Sequence, residues 1–286
     1  MASNTVINTN IRALNSHRNL GSVGNKLSKA SERLSSGKKI NHAADDAAGL
    51  AITEKMRAQI KGLDMANKNA QDAISLIQTA EGSMSEIESM LQRMRELVVQ
   101  ASNDTNQTAD REKISKELTQ LTEEIDAMAG RTEFNKKTLA TGKFKKGGTD
   151  LFFQIGANAS QKITLNIEAM YASKLATNLH KVASTVADKA KSGVDLTAQI
   201  KVLDSAISKV SDEVAKLGAV QNRLDYTSNN LQVSSENLSS AKSRIEDADM
   251  AKEMMNVTAS NVLQQAATAM LAQANQSTSQ VVQLLQ

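Results

Sequence analysis

The chain has 286 residues, its 34 basic and 31 acidic side chains give a net charge of +3, and only 2% of its residues are aromatic. It contains no cysteine, proline or tryptophan, which excludes disulfides, cysteine-ligated zinc and thiol catalysis. The weak net charge and the few aromatic rings argue against nucleic-acid binding, and the sequence has no run of 18 apolar residues that could span a membrane.

The first predicted helix shows apolar residues that alternate steps of three and four, which places them on one helical face. Gly37 follows where a left-handed C-cap glycine is expected, and Lys38 and Lys39 favour the negative end of the helix dipole. The apolar residues of this helical face are Leu20, Val23, Leu27, Ala30 and Leu34.

The start of the chain has no basic region followed by an apolar one, so a secretory signal peptide is not expected.

The second predicted helix runs from about Asp46 to Ala101, with Asp45 or Asp46 as a suitable N-cap. Its stripe keeps the same alternation and consists of Leu63, Ala66, Ala70, Ala73, Ile77, Ala80, Met84, Ile87, Leu91, Met94 and Val98. The turn-forming segment 102–108 separates it from a third helix. The apolar face of the third helix consists of Ile114, Leu118, Leu121, Ile125 and Met128.

The middle of the chain changes character after residue 130. The runs LFFQIG and KITLNI, separated by ANASQ, predict a β-hairpin near 150–168. Residues 172–198 are rich in Ala, Ser, Thr and Lys, and their weak pattern predicts a short segment of variable structure.

A last helical region is predicted from about Leu196 onward. Its first stripe consists of Ile200, Leu203, Ile207, Val210, Val214 and Leu217, and after a shift of one residue it continues with Val220, Leu224, Leu231, Leu238 and Ile245. A final stripe consists of Leu263, Ala267, Met270, Ala274, Val281 and Leu284.

The two stripes nearest the chain ends have few possible partners except each other, whereas the middle stripes can form a bundle. Because a single amphipathic helix is marginal in water, we expect these two to pair with each other and with copies from other chains. The residues assigned to self-assembly are Leu20, Val23, Leu27, Leu34, Leu263, Met270, Val281 and Leu284.

The main candidate for chemistry is His42 with Asp45 and Asp46. A metal site would need further ligands, and no other histidine or acidic cluster is spaced to supply them. We therefore interpret the acids as a helix cap with solvated charges. Since no nucleophile elbow or phosphate loop is present either, we predict no catalytic, cofactor-binding or metal-binding residues and expect the chain not to be an enzyme.

A second candidate is the run LQRMRELVVQ, in which Arg93, Leu97 and Gln100 form a row beside the core stripe. Leu97 is the apolar member of this otherwise polar row. Either a second bundle helix covers the row, or the row is an outward interface in which Arg93 and Leu97 form a hot spot. The residue pattern leaves both interpretations open.

Several segments resemble bacterial flagellins. RLSSGKKINHAADDAAGLAI and TEFNKKTL are similar to the N-terminal half of that family, and LGAVQNRLDYTSNNL and MLAQANQSTSQVVQLL to its C-terminal half. Three positions depart from the family pattern: Lys136 and Ala73 stand where glycine is usual, and Val214 where arginine is frequent.

The resemblance implies an inner coiled-coil domain formed by residues 1–45 and 246–286, and a helical domain at 46–245 that carries the hairpin. The residues from Lys38 to Ala44 would connect the two domains. A short middle implies that the large outer domains of long flagellins are missing. Together with the periodicity, this predicts a mainly α fold, a long antiparallel helical bundle or coiled coil with a small β-hairpin region.

The resemblance also implies function. It predicts a subunit that is secreted by the flagellar export apparatus and polymerises head-to-tail into the extracellular filament of a motile bacterium. The implied partners are an export chaperone at the C-terminal helix, a filament cap and the innate immune receptor Toll-like receptor 5. The family's receptor motif corresponds here to Gln92, Arg93, Leu97, Gln100 and Glu117.

We expect no cofactor, no nucleic-acid partner and no membrane insertion. Two alternatives remain at this stage: a hook–filament junction protein, which shares the terminal helices, and a helical coiled-coil scaffold unrelated to flagella. The scaffold would form a stable small oligomer, whereas a filament subunit would form long fibres of constant width.

Overall fold

The computed structural model describes residues 9–145, 147–188 and 193–283, and only the backbone for 193–195 and 278–283. In this part of the chain the elements are, in order, α1 (Ile11–Ser36), α2 (Ala47–Ala101), α3 (Thr108–Arg131), β1 (Glu133–Phe134), β2 (Lys137–Thr138), β3 (Leu151–Gln154), β4 (Lys162–Leu165), α4 (Ala172–Leu175), α5 (Leu179–Ala187), α6 (Gly193–Glu246) and α7 (Met250–Gln283). The prediction of a mainly α fold with a small β region is confirmed.

The chain divides into two compact units, one formed by residues 1–58 and 236–286 and the other by 59–235. The predicted domain boundaries lie at 45/46 and 245/246. The first compact unit therefore also contains residues 46–58 and 236–245. These residues are the first turns of α2 and the last turns of α6. Within this unit, Glu246 at the end of α6 pairs with Arg57 in α2 and with Lys38 in the linker that follows α1.

In the first unit, α1 packs antiparallel to α7. The amide of Asn10, before α1, donates to the carbonyl of Ala274 near the far end of α7 at 3.0 Å. At the other end of α1, Arg33 lies 3.7 Å from the carboxylate of Glu253 in the first turn of α7. The apolar face predicted for α1 is turned inward, with Ala30 buried and Leu20, Val23, Leu27 and Leu34 half-buried.

In the second unit, α2 and α6 run antiparallel to each other between Asn67 and Arg95 of α2. Three side-chain pairs define this direction, because residues further along α2 pair with residues further back along α6. The pairs are Asn67–Ser228 at 2.5 Å, Glu88–Ser211 at 3.4 Å and Arg95–Asp204 at 2.7 Å. From Ala66 onward, the predicted α2 stripe is fully buried between its neighbours.

The predicted hairpin is confirmed as the antiparallel pair β3–β4, with Leu151 opposite Leu165. A second, shorter hairpin, β1–β2, was not predicted. Its two-residue turn, Asn135–Lys136, has positive φ values of 49° and 62°. Such a turn normally contains glycine, and the lysine at position 136 concealed it from the sequence pattern.

Within 172–198, where a segment of variable structure was expected, the structure describes α4, α5 and the start of α6. Helix α5 packs on α3 and buries Leu179, Val182 and Val186, while the Ser115 hydroxyl donates to the Ala183 carbonyl at 2.7 Å. The pattern was weak because the helix is short and its buried face includes a small residue, Ala183. Residues 189–192 lie outside the described residues.

Candidate functional site

The segment between α1 and α2 is a structural joint. Gly37 ends α1 in a left-handed conformation with φ 71°, and its N–H donates to the Arg33 carbonyl. Asp46 begins α2, because its side chain accepts a hydrogen bond from the Gly49 N–H at 2.9 Å. The two caps predicted from the sequence are therefore confirmed, and the neighbouring acid, Asp45, has a different role.

Asp45 ties the joint back to α1. Its carboxylate accepts hydrogen bonds from the backbone N–H groups of Asn41 and His42 and lies 3.5 Å from Lys29 and 3.9 Å from Arg33. The hydrogen bond from His42 is the largest effect that holds the pKa of Asp45 below its ordinary value, against partial burial. The Asp45 carboxylate therefore binds two backbone N–H groups of the joint and two cationic side chains of α1.

Glu246, the last residue of α6, is the centre of a second polar cluster and is only 2% exposed. Its carboxylate lies 2.6 Å from Lys38, 2.7 Å from Arg57 and 3.1 Å from Lys242. Burial alone would raise the pKa of Glu246, but the hydrogen bonds and charges of these cations outweigh it and hold the pKa below the ordinary value. Sequence analysis missed this cluster, because its members lie on three separate segments.

The backbone strengthens the same contact. The Lys39 N–H donates to the Glu246 carbonyl at 2.7 Å, and the Ala248 N–H donates to the Gly37 carbonyl at 2.9 Å. These bonds form an isolated antiparallel bridge between Lys38 and Asp247. The end of α1 and the start of α7 are therefore fixed to each other by main chain and by buried charge.

Helix α7 leaves several of its large apolar side chains exposed. Leu263 and Met270, both predicted for self-assembly, are 55% and 63% exposed. The face toward α1 carries Val257 and Leu271 together with small or polar side chains such as Ser260, Ala267 and Ala274. The predicted final stripe therefore mixed two faces. We define the outward row by its exposed members Met254, Met255, Val262, Leu263 and Met270.

The remaining self-assembly residues divide between the described and undescribed parts of the chain. The side chain of Val281 and the whole of Leu284 lie outside the described residues. At the other terminus, α1 adds two exposed apolar residues, Ile11 and Leu14, that the sequence analysis did not single out. The first unit therefore presents apolar side chains from both ends of the chain.

The row around Arg93 lies on the α2–α3 surface of the second unit. The Arg93 guanidinium donates to Glu117 on α3 from Nε at 3.1 Å and from Nη2 at 3.0 Å, and to Glu96 at 3.1 Å. Gln92 and Gln100 are exposed beside it. Hydrogen bonds to Glu96 and Glu117 raise the pKa of Arg93, so this site presents a fixed positive charge between two carboxylates.

Leu97 differs from its predicted role as an outward anchor. It is 2% exposed and belongs to the hydrophobic core of the bundle. Bundle neighbours therefore cover Leu97, whereas Arg93 and Gln100 of the same row are exposed. What remains accessible is a polar surface formed by Gln92, Arg93, Gln100 and Glu117.

Within residues 9–145, 147–188 and 193–283, His, Asp and Glu side chains do not gather in groups of three that could hold a metal ion. His42 instead lies 2.8 Å from Glu32, and His180 lies 3.2 Å from Asp126. None of the described helices is long and apolar enough to cross a membrane.

Comparisons with known proteins agree with this geometry. Residues 7–145 match the bacterial flagellin N-terminal helical region, and residues 200–285 match the bacterial flagellin C-terminal helical region. The chain is 52% identical to a flagellin of Bacillus subtilis over 98% of this chain and 99% of that one. It is 43% identical to the flagellar filament 33 kDa core protein of Treponema phagedenis, again over 98% and 99%.

A solved structure described as a flagellar hook-associated protein of Vibrio parahaemolyticus covers 71% of this chain and all of that one, with a TM-score of 0.61. Its 12% identity shows a shared fold and nothing more. The two family matches cover most of the chain, and the Bacillus and Treponema relatives span it nearly end to end. The chain belongs to the bacterial flagellin family.

Proposed function

We propose that this flagellin polymerises head-to-tail through its two terminal helices, α1 and α7, into the filament of the bacterial flagellum. As a flagellin it is a structural subunit of that filament. The observation that carries the proposed mechanism is the outward row of α7, in which Leu263 and Met270 are exposed although a soluble helix pair would normally bury them.

The energetics favour association. Burying one Leu or Met side chain contributes roughly 1.5–3 kcal/mol, so even a few residues of the outward row would offset a large part of the entropy lost on assembly. The contact must join different surfaces on the two subunits, because a self-complementary interface would close into a dimer and stop. Copies of α1 and α7 from neighbouring subunits can satisfy this condition together.

The same apolar row explains the proposed accessory partners. Before assembly, Met254, Met255 and Val262 would expose the newly made chain to aggregation. An export chaperone bound to α7 would cover them, and a filament cap would guide the subunit after export to the extracellular end. Both partners are implied by the family and fit an unpaired apolar helix face.

A truncation experiment tests the polymerisation mechanism. Chains lacking residues 1–36 or 250–286 are compared with the full chain by electron microscopy after seeding with filament fragments. We expect the full chain to form long filaments of constant width and both truncated chains to form none. Filaments from either truncated chain would refute the proposal.

We further propose that the monomer is recognised by Toll-like receptor 5 through the surface around Arg93. The support is the exposed guanidinium, held between Glu96 and Glu117, with Gln92 and Gln100 beside it. The buried Leu97 would contribute indirectly, by packing in the bundle core beneath this surface. The resulting surface is polar, and its ordered arginine carries the recognition energy.

The receptor proposal is tested with a charge reversal. Arg93→Asp is expected to reduce signalling in a receptor-reporter assay by at least about tenfold, since it replaces an interface arginine by an acid. Arg95→Asp is the matched control, because Arg95 is equally exposed and pairs with Asp204 on another face. If the two variants signal equally, the assignment of this surface to receptor recognition is refuted.

A further inference from the structure

The segment 134–149, FNKKTLATGKFKKGGT, carries the positive excess of the whole chain. It contains five lysines and no acidic residue. Without these five lysines, the chain would have 29 basic residues against 31 acidic ones. The outward row and the Arg93 surface do not involve this segment, so the proposed function leaves it unexplained.

Two aromatic anchors hold the segment in place. Phe134 and Phe144 are both partly buried against the hydrophobic core. The Phe144 carbonyl also accepts a hydrogen bond from the Ile167 N–H at 2.9 Å, and the Met170 N–H donates to Ala140 at 2.9 Å. These contacts fix the backbone at Ala140 and Phe144, so a ligand would not need to order these positions first.

The lysines next to these anchors point their charge into solvent. Lys136 and Lys137 follow Phe134 at the β1–β2 turn, and Lys143 and Lys145 flank Phe144. All four are exposed, and none of them forms an ion pair with another described residue. We call these four residues the lysine loop.

We propose that the lysine loop is a binding surface for an anionic polysaccharide. Flexible ammonium groups without a bidentate fork suit sulfate or carboxylate charges spaced along a mobile chain. Nucleic acid is a poorer fit because the two aromatic rings of the segment itself, Phe134 and Phe144, pack against the core and are not free to stack on bases. A lipid surface is a poorer fit because the large apolar side chains of the described residues 134–145, which are Phe134, Leu139 and Phe144, are buried or partly buried and not available for insertion.

The cavity next to the loop is a less suitable anion site. Lys145, Lys174 and Lys209 line it, but so do Glu168, Asp212 and Glu213. Because these acidic side chains would repel an anion in the cavity, the polysaccharide is expected to bind along the lysine loop instead. A weak contact by one subunit would be multiplied in a polymer that repeats it, and this last step alone depends on the proposed polymerisation.

The test uses the full, unpolymerised chain and heparin as a sulfated polysaccharide. The variant K136Q/K137Q/K143Q/K145Q removes the charges of the lysine loop. The control K61Q/K68Q/K116Q/K201Q removes the same number of charges from exposed helical positions. Circular dichroism establishes that both variants keep the helical content of the wild type.

We expect the wild type and the control to be retained on a heparin column and to elute at similar salt concentrations. The loop variant should elute earlier, and its affinity for labelled heparin at 0.1 M salt should fall by about tenfold or more. Polygalacturonate, a carboxylated polysaccharide, should compete with heparin, and neutral dextran should not.

Three outcomes would overturn the proposal. The first is equal elution of the loop and control variants, which would mean that net charge alone governs retention. The second is tighter loop-dependent binding to a single-stranded oligonucleotide, and the third is tighter loop-dependent binding to anionic phosphatidylglycerol vesicles. Because the protein is unpolymerised throughout, none of these results depends on filament formation.

Discussion

The Lys38 ammonium lies 2.6 Å from the buried carboxylate of Glu246, and the next residue, Lys39, donates its N–H to the Glu246 carbonyl at 2.7 Å. Side chain and main chain therefore hold the same two segments together. This pairing fixes the exit of α1 to the end of α6, within the unit that carries both terminal helices.

Replacing Glu246 by glutamine should destabilise the first unit by about 1–3 kcal/mol, because Lys38, Arg57 and Lys242 would then repel one another. The cost stays below that of a fully buried pair, since the three cations are partly solvated. Hydrogen exchange should detect the change as faster exchange of the Lys39 and Ala248 amides. Glu54→Gln is the control: Glu54 also pairs with Arg57 but is exposed, so its loss should cost less than about 1 kcal/mol. Equal exchange in both variants would contradict a special role of Glu246.

The same carboxylate should make the first unit sensitive to acid. The folded pKa of Glu246 is held below its ordinary value of 4.5, so its contribution to stability is complete above pH 4.5 and is lost as the pH falls through the folded value. The stability difference between wild type and Glu246→Gln should therefore shrink below pH 4.5. Unfolding measured by circular dichroism from pH 7 to pH 3 provides the comparison. A difference that stays constant over this range would exclude Glu246 as the source.

Lys136→Gly should stabilise the β1–β2 hairpin. Lys136 has a φ of 62°, a conformation that is unfavourable for a residue with a Cβ and natural for glycine. After the entropic cost of glycine in the unfolded chain, the expected net gain is about 0.5–1 kcal/mol. Thermal unfolding measures this gain. The control Lys137→Gly, in a strand, should lower stability, and a loss in both variants would contradict the turn assignment.

The Arg93–Glu117 pair should contribute little to folding. Both side chains are about half exposed, and such pairs are worth about 0–1 kcal/mol. Glu117→Gln is therefore expected to unfold at nearly the wild-type urea midpoint while it weakens receptor signalling. A large loss of stability would mean that the pair supports the bundle, and reduced signalling would then have a structural cause.

Much of the fold follows from the spacing of apolar residues. The limits of α2 and the buried stripe that begins at Ala66 were predictable, because long helices repeat the same signal many times. The caps Gly37 and Asp46 were predictable because each has a local cause in the backbone. The β3–β4 hairpin was recognisable from alternating apolar residues and a polar turn.

Other features depend on tertiary contacts that no local sequence pattern indicates. Glu246 gains its partners from residues far away along the chain, so no local pattern indicates its burial. The face of α7 was misassigned because Ala267 and Leu263 both satisfy helical spacing, and only packing decides which one faces α1. The orientation of the Leu97 side chain was ambiguous for the same reason, and the structure shows it buried in the bundle core.

The most direct test of the central claim is filament formation by Leu263→Gln/Met270→Gln, with Asn261→Gln/Thr268→Gln as a control on exposed polar positions of the same helix. Leu263 and Met270 are exposed in the single chain, so both double variants should keep the unfolding temperature of the wild-type monomer. Electron microscopy after seeding should show long filaments for the wild type and the control and none for Leu263→Gln/Met270→Gln. Filaments of normal number and length from that variant would contradict the claim that the outward row of α7 drives polymerisation.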